Sequence, residues 1–336
     1  MSQIITIKSP TRVDLAGGTL DLWPLYSFFG GAKTVNIAID IFTYVDLEIL
    51  TDSAAIELES LDLKVKKIYA SYEEAIQDKD PQFALFRIVL EYFRPPFGLK
   101  LKTRSESPVG GGLGGSSSLM VSLLKALSKA TSQPFSSVYQ LVNVAHNLEA
   151  KLLLTPTGTQ DYYPAASGGI NILEYSPSGI KQYLFNHSEQ REIEDRFLLV
   201  YTGRSHHSGM NNFEVLQKAV AKDSKTIRAL SSLRLISEEM SALVRAGQWT
   251  NLRELFNREY DARIQLAPAI SSPEIEALHK LAFKNGAEAV KICGAGGGGC
   301  VLIWTAPEAK AHVAAACSEA GFQVLGAKPH PILADQ

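Results

Sequence analysis

Ser107-Pro108-Val109-Gly110-Gly111-Gly112-Leu113-Gly114-Gly115-Ser116-Ser117-Ser118 decides how this chain is read. Before it, Leu99 to Thr103 has the apolar alternation of a short strand. After it, Leu119, Leu123, Ala126, Leu127 and Ala130 fall on one face of a helix. A strand, a glycine loop and a helix N-terminus together make an anion site. Bare glycine backbone lets N–H groups approach an oxyanion, and the helix dipole favours negative charge there. Serine hydroxyls at the helix start can cap the helix or ligate Mg²⁺. The plainer alternative is a surface loop with serine caps. Five glycines in the six positions from Gly110 to Gly115, set directly before a helix, argue against it.

The same stretch contains Gly110-x-Gly112-x-x-Gly115, the spacing of a dinucleotide fingerprint. A Rossmann unit would open its domain and place an acidic residue about 20 positions on. Lys129, Ala130 and Thr131 occupy that region, which weakens an oxidoreductase reading. A Walker A loop is excluded, since no Gly-Lys-Ser/Thr follows.

A second glycine run, Lys291-Ile292-Cys293-Gly294-Ala295-Gly296-Gly297-Gly298-Gly299-Cys300, lies between two apolar strand candidates, Ala287 to Ile292 and Cys300 to Trp304. This is the pattern of a hairpin whose bare backbone, around Gly296 and Gly297, comes close to a nucleotide or substrate. Cys293 and Cys300 flank it without zinc spacing and read as structural thiols.

Two carboxylates stand out. Val138, Val142, Ala145 and Glu149 recur at helical spacing, so Glu149 sits on the apolar stripe of a helix from about Ser137 to Leu152. A carboxylate there must be paired, protonated or metal-bound. An arginine partner is the structural alternative. Asp161 lies in the loop-like run Gly158-Thr159-Gln160-Asp161-Tyr162-Tyr163-Pro164-Ala165-Ala166-Ser167-Gly168-Gly169. By itself it could be a turn former or a helix cap.

The composition narrows the classes. The chain has 336 residues, 33 basic against 35 acidic, with a formal net charge of -2 and 46% hydrophobic residues. That balance argues against nucleic acid or an anionic membrane as the main partner. No basic n-region precedes an apolar stretch at Met1, so no signal peptide is expected, and no uncharged run approaches a bilayer span. Three cysteines, Cys293, Cys300 and Cys317, without CxxC pairs read as reduced thiols of a cytoplasmic protein. Thr34 to Leu50 reads as extended and Phe197 to Tyr201 as a strong apolar strand. Asn211 to Leu266, rich in helix formers, reads as two or three helices. A helix from Pro307 to Ala320 and a strand from Gln323 to Leu325 close the chain. The expected organisation is two α+β domains, 1–196 and 197–336, with the boundary near Phe197 to His207.

These motifs carry a resemblance. Pro108, Gly112, Leu113, Gly114, Ser116 and Ser117 are similar to the Pro-x-x-x-Gly-Leu-Gly-Ser-Ser-Ala/Ser signature of the GHMP kinases, with Gly115 where the first serine usually stands. Ser9-Pro10-Thr11-Arg12-Val13-Asp14-Leu15-Ala16-Gly17-Gly18-Thr19-Leu20-Asp21 resembles that family's first motif, with Gly18-Thr19 replacing Glu-His. Its Leu-Ala-Gly-Gly…Asp form looks like the sugar kinase branch that holds heptose 7-phosphate kinases and fucose kinase domains. The run from Lys291 resembles the third motif.

The resemblance implies a two-domain α+β fold, with an N-terminal ribosomal-protein-S5-like α/β domain, an unusual left-handed crossover and a C-terminal ferredoxin-like domain. It implies ATP along Pro108, Gly110, Gly111, Gly112, Leu113, Gly114, Gly115, Ser116 and Ser117, and Mg²⁺ between Ser116 and Glu149. It implies Asp161 as the group that takes or orients the acceptor hydroxyl's proton, and Arg12 as a cation beside the transferred phosphoryl group. Asp21, after the Gly17-Gly18 turn, would accept from sugar hydroxyls, although it could instead cap a helix beginning near Leu22. Tyr201-Thr202-Gly203-Arg204-Ser205-His206-His207-Ser208 could hold a substrate phosphate through Arg204, or be an interdomain turn. The expected activity is an ATP- and Mg²⁺-dependent sugar kinase acting at the anomeric hydroxyl. Mevalonate is the rival acceptor, and a non-catalytic nucleotide-binding regulator is the rival of another class.

Overall fold

The structure is a computed structural model and describes residues 4–186, 190–205 and 208–334. The first half of the chain runs β1 (Ile4–Ala16), α1 (Leu25–Phe28), β2 (Ala32–Leu50), β3 (Ile56–Ser60), β4 (Val65–Tyr69), α2 (Tyr72–Gln77), α3 (Ala84–Phe93), β5 (Gly98–Ser105), α4 (Gly115–Thr131), α5 (Val138–Leu153), α6 (Tyr162–Ser167), β6 (Ile170–Ser176) and β7 (Gly179–Phe185). The second half runs α7 (Gln190–Arg196), β8 (Phe197–Tyr201), α8 (Ser208–Val220), α9 (Ser224–Arg245), α10 (Leu252–Arg263), α11 (Pro273–Lys284), β9 (Ala287–Ile292), β10 (Cys300–Thr305), α12 (Pro307–Glu319) and β11 (Gln323–Leu325).

Two sheets result. The larger has seven strands in the order β4-β3-β5-β2-β6-β7, with β1 paired to β2. The 19-residue β2 organises it, meeting β1 through most of its length, β5 through Thr43–Leu50 and β6 through Ala32–Ile37. All pairings are antiparallel except β3 with β5. The smaller sheet, β11-β8-β10-β9, is antiparallel throughout.

Val45 and Leu47 are buried and Asp46 between them is exposed, the alternation of a strand with one buried face. Upstream the pattern fails, since Val35 to Ile39 are all buried. There Val35, Ile37 and Ile39 pack into a core that includes Ile236, Met240 and Val244 of α9.

Among the described residues, three apolar clusters hold the layers. One lies between the large sheet and α3, α4 and α5, and α4 gives it Met120, Leu123, Leu124 and Leu127. Each fully buried aliphatic side chain of this size contributes roughly 1.5–3 kcal/mol. A second joins β1, β2 and β6 to β8, β9, β10, α9 and α10, so the two sheets share a core. The third packs α8, α9, α11 and α12 on the small sheet and takes in Leu20, Leu22 and Leu25 from the other half. The tail returns to the first half through bridges Ile39↔Pro329 and Gly168↔Ile332.

The N-termini of α4 and α5 end differently, and the difference matters for the site. On α5, Ser137 accepts from Gln140 N at 3.1 Å, as expected, while Gln140 Oε1 reaches Ser136 N rather than Ser137 N. On α4, the cap residue is Gly114 in the left-handed region (φ 70), and no side chain caps the helix. The serines that follow are engaged elsewhere.

Candidate active site

A cleft of about 350 Å³ opens between the two halves of the chain, over the N-terminus of α4. Its wall includes Gly110 to Gly112, Ser116 and Ser117 from the first glycine loop. Glu149 of α5, Asp161 before α6, Arg12 and Asp14 of β1, Gly18, Thr19 and Asp21, and Gly294-Ala295 also line it. Residues far apart in sequence meet because β1 runs beneath the loop. Arg12 N donates to Leu113 O at 3.0 Å, and Cys300 N donates to Gly111 O at 2.8 Å. The two glycine runs therefore touch. A Cβ on Gly294 would lie 2.9 Å from Gly112 Cα, an approach open only to glycine at that φ of +66.

Asp161 is the N-cap residue of α6 by position, but its carboxylate caps nothing. Its Oδ1 accepts from Arg12 Nε at 2.8 Å and lies 2.7 Å from Arg12 Nη2. Arg12 Nη1 donates to Gly112 O at 2.5 Å. The pair is asymmetric, with Arg12 buried and Asp161 open to the cleft at 24% side-chain exposure. Burial works against the charge on Arg12, but Asp161 and Asp14 outweigh it and hold its pKa above the ordinary arginine value. Asp161 Oδ2 faces Gly114, where an added Cβ would stand 3.2 Å away.

Glu149 is 4% exposed, as its place on the apolar stripe requires. Among the described residues, no arginine answers it. Ser116 Oγ donates to Oε1 at 2.6 Å, Ser117 Oγ donates to Oε2 at 2.9 Å, and the Tyr162 hydroxyl also donates to Oε2. Burial, then the Glu149 charge, pushes the Tyr162 pKa well above the usual tyrosine range, which keeps it a donor. Ser116 and Glu149 thus present two hard oxygens side by side, the donor type that suits Mg²⁺. The loop beside them is shaped as a cradle: a Cβ on Gly111 would meet Pro108 O at 2.8 Å, and one on Gly115 would meet Ser107 Oγ at 3.1 Å.

Asp21 is 4% exposed and does not cap α1, whose N-cap is Pro24. Instead Oδ2 accepts from Gln160 N at 3.0 Å. Burial pushes its pKa up to about 6; that backbone bond opposes the rise, and Asp161 and Asp14 add to it. Gly158 leaves its room: a Cβ there would lie 2.0 Å from Asp21 Oδ2.

The other expected residues fall in different places. Gly18 lines the cleft, whereas Gly17 packs against Lys33 O. Among the described residues of the second run, Gly294 and Ala295 line the cleft. Gly296 and Gly297 turn onto Ile270, with Gly297 N donating to Ile270 O at 2.7 Å. Arg204 does not line the cleft; its half-exposed guanidinium donates to Glu274 Oε2 at 3.2 Å. His206 and His207 lie outside the described residues. The structure adds groups the sequence did not single out: Tyr162 on Glu149, Gln160 and Asn212 in the wall, and a buried charged cluster behind Gly18. Cys293 and Cys300 are buried free thiols, with burial raising the Cys293 pKa to about 11, which fits a structural role.

Sequence comparison finds the GHMP kinases N terminal domain in residues 83–169 and the GHMP kinases C terminal domain in residues 240–322. The chain belongs to the GHMP kinases. These kinases include relatives similar to it over nearly their full length. The D-glycero-α-D-manno-heptose 7-phosphate kinase of Campylobacter jejuni is 27% identical over 320 residues, 91% of each chain. The mevalonate kinase of Thermococcus onnurineus is 26% identical and covers 94% of this chain and 93% of its own. The same GHMP kinase fold is seen in the crystal structure of a D-glycero-D-manno-heptose 1-phosphate kinase from Bacteroides thetaiotaomicron. That structure superposes with a TM-score of 0.80 at 23% identity, over 98% of this chain and 97% of that one. The chain is therefore a phosphotransferase of the two-domain GHMP type. Among the described residues, no helix is long and apolar enough to cross a membrane.

Proposed function

We propose that this GHMP kinase transfers the γ-phosphoryl group of ATP to a sugar hydroxyl, the anomeric one, in a Mg²⁺-dependent reaction. The observation that carries the reading is the Arg12–Asp161 pair, set between the glycine-loop anion site and a carboxylate-lined end of the cleft. Residues 1–196 would supply the nucleotide site, with 197–336 closing the acceptor side through Gly294 and Ala295.

The glycine loop and the α4 N-terminus hold the phosphates by backbone N–H groups and dipole. Ser116 and Glu149 would hold Mg²⁺, which when bound would neutralise charge on the phosphate oxygens. Tyr162 and Ser117 keep the Glu149 carboxylate oriented toward Ser116. Asp161 Oδ2, left over by the Arg12 bond to Oδ1, receives or orients the proton of the attacking hydroxyl. Arg12 holds the Asp161 carboxylate in place and offers positive charge to the phosphoryl group in flight. Asp21 accepts hydrogen bonds from neighbouring sugar hydroxyls, which a polyol ring offers and mevalonate does not. The heptose kinase relative supports that acceptor class.

The experiment is an ADP-release screen over monosaccharides, heptose 7-phosphates and mevalonate with ATP and Mg²⁺. Turnover with a sugar or sugar phosphate is expected. Turnover with mevalonate alone would transfer the assignment to the other branch, in line with the mevalonate kinase relatives. ATP binding without turnover on any acceptor would favour the regulatory alternative.

A further inference from the structure

Packed against Gly18, Thr19 and Gly294 is a cluster of four charged side chains to which the reaction described above assigns no role, and of the four Asp14 alone reaches the cleft wall. Asp14, Glu259, Arg263 and Lys291 are each no more than 1% exposed. Lys291 Nζ lies 3.1 Å from Asp14 Oδ2 and 3.4 Å from Glu259 Oε1. Arg263 meets Glu259 Oε1 at 2.6 Å through both Nε and Nη2, and its Nη2 is 3.6 Å from Asp14 Oδ2. Two cations and two anions balance. They come from β1, α10 and β9, so the cluster ties both halves of the chain together beneath the cleft.

A buried ionic cluster is often no more stabilising than an apolar replacement of the same volume, so stability alone does not account for this one. Here the geometry points at the cleft. Beyond the ion pairs, Arg263 Nη2 donates to Gly18 O at 3.1 Å, and Nη1 donates to Thr19 Oγ1 at 3.4 Å and to Gly294 O at 3.5 Å. One planar guanidinium thus spans the 17–21 loop and the start of the second glycine run, and both of these line the cleft beside Asp21. Thr19 sits at φ 81, a conformation a threonine adopts only when its surroundings hold it there.

We propose that Arg263 is a positioning residue for the acceptor. Its fork clamps residues 17–21 against Gly294 and so sets where Asp21 and the bare Gly18 backbone meet the substrate. This rests on the reading of Asp21 as an acceptor contact. A lysine would keep the charge opposite Glu259 and Asp14 but could not span the three oxygens at once.

The test is Arg263→Lys, with Thr19→Val as a milder variant that removes one of the clamp's contacts. Acceptor KM should rise by about tenfold or more in Arg263→Lys and by about threefold in Thr19→Val, with ATP KM within about twofold in both. Hydrogen exchange supplies a readout that needs no acceptor. Amides of residues 17–21 and 293–297 should exchange about tenfold faster in Arg263→Lys, while those of residues 115–131 stay unchanged. Equal shifts in both KM values, exchange accelerated evenly along the chain, or no change in either variant would each overturn the proposal. Should Arg263→Lys not fold, Thr19→Val decides by the same two readouts. Should the wild-type enzyme accept no sugar, the reading of Asp21 fails, and the exchange data alone decide whether the clamp exists.

Discussion

Asp21→Asn should make the protein more stable and less able to bind its acceptor. Asp21 has a folded pKa of about 6 against an ordinary value of 3.8, because burial opposes its charge. The folded state therefore holds the proton more tightly than the unfolded state. Between those two values stability falls as pH rises, and the full cost is present above about pH 6. At about 1.4 kcal/mol per tenfold difference in proton affinity, the cost is about 3 kcal/mol at pH 8, about 1.6 at pH 5 and about 0.6 at pH 4. An asparagine has nearly the same shape, carries no charge, and keeps an oxygen for Gln160 N. The variant should recover most of that free energy at pH 8 and little at pH 4. For a chain of 336 residues, 3 kcal/mol corresponds to a Tm increase of about 4 °C. Thermal melts of both proteins from pH 4 to 8 give the difference directly. Acceptor KM, measured alongside, should rise about tenfold or more, with ATP KM unchanged, since an amide accepts less well from two hydroxyls. A variant that is destabilised at pH 8, or whose Tm difference from the wild type is flat with pH, would refute the reasoning about the buried charge.

Other outcomes follow from the same geometry. Asp161→Asn should leave ATP affinity within about threefold and remove most turnover, by about 10²-fold or more; unchanged kcat would take Asp161 out of the mechanism. Ser116→Ala and Glu149→Gln should each raise the Mg²⁺ concentration needed for half-maximal rate. Because both oxygens serve one site, the double variant should fall short of the sum of the two effects, and identical Mg²⁺ titrations in all four proteins would count against that site. Gly158→Ala should weaken acceptor binding and cost about 1–3 kcal/mol in stability, since its Cβ would stand 2.0 Å from Asp21 Oδ2; a variant that melts and binds like wild type would show that Asp21 has room to move.

Much of this arrangement was legible in the sequence, and the rest was hidden for identifiable reasons. The strand–loop–helix through Gly110 to Ser118 and the second glycine hairpin were readable because glycine runs have few structural uses. Glu149 was readable because a carboxylate on an apolar stripe demands a partner, but that partner was not an arginine. Hydroxyls of Ser116, Ser117 and Tyr162 answer it, and only the fold brings α4, α5 and α6 together. β1 was not readable as a strand from its pattern, since its buried positions include Ser9, Thr11, Arg12 and Asp14. Along the second run the glycines are chemically alike, so sequence could not show that Gly294 faces the cleft while Gly296 faces Ile270. Glu259 and Arg263, four residues apart, look like a solvated pair on a helix surface. That α10 turns this pair inward, beneath Gly18, is a property of tertiary packing alone.

The most direct test of the central claim is product analysis by mass spectrometry and ³¹P NMR after incubation with ATP, Mg²⁺ and a mixture of sugars, heptose 7-phosphates and mevalonate. The account predicts a new phosphomonoester on a sugar, formed with one ADP per product and lost in Asp161→Asn. A phosphorylated mevalonate with every sugar untouched would contradict the acceptor assignment, and no new phosphomonoester at all would contradict the kinase mechanism itself.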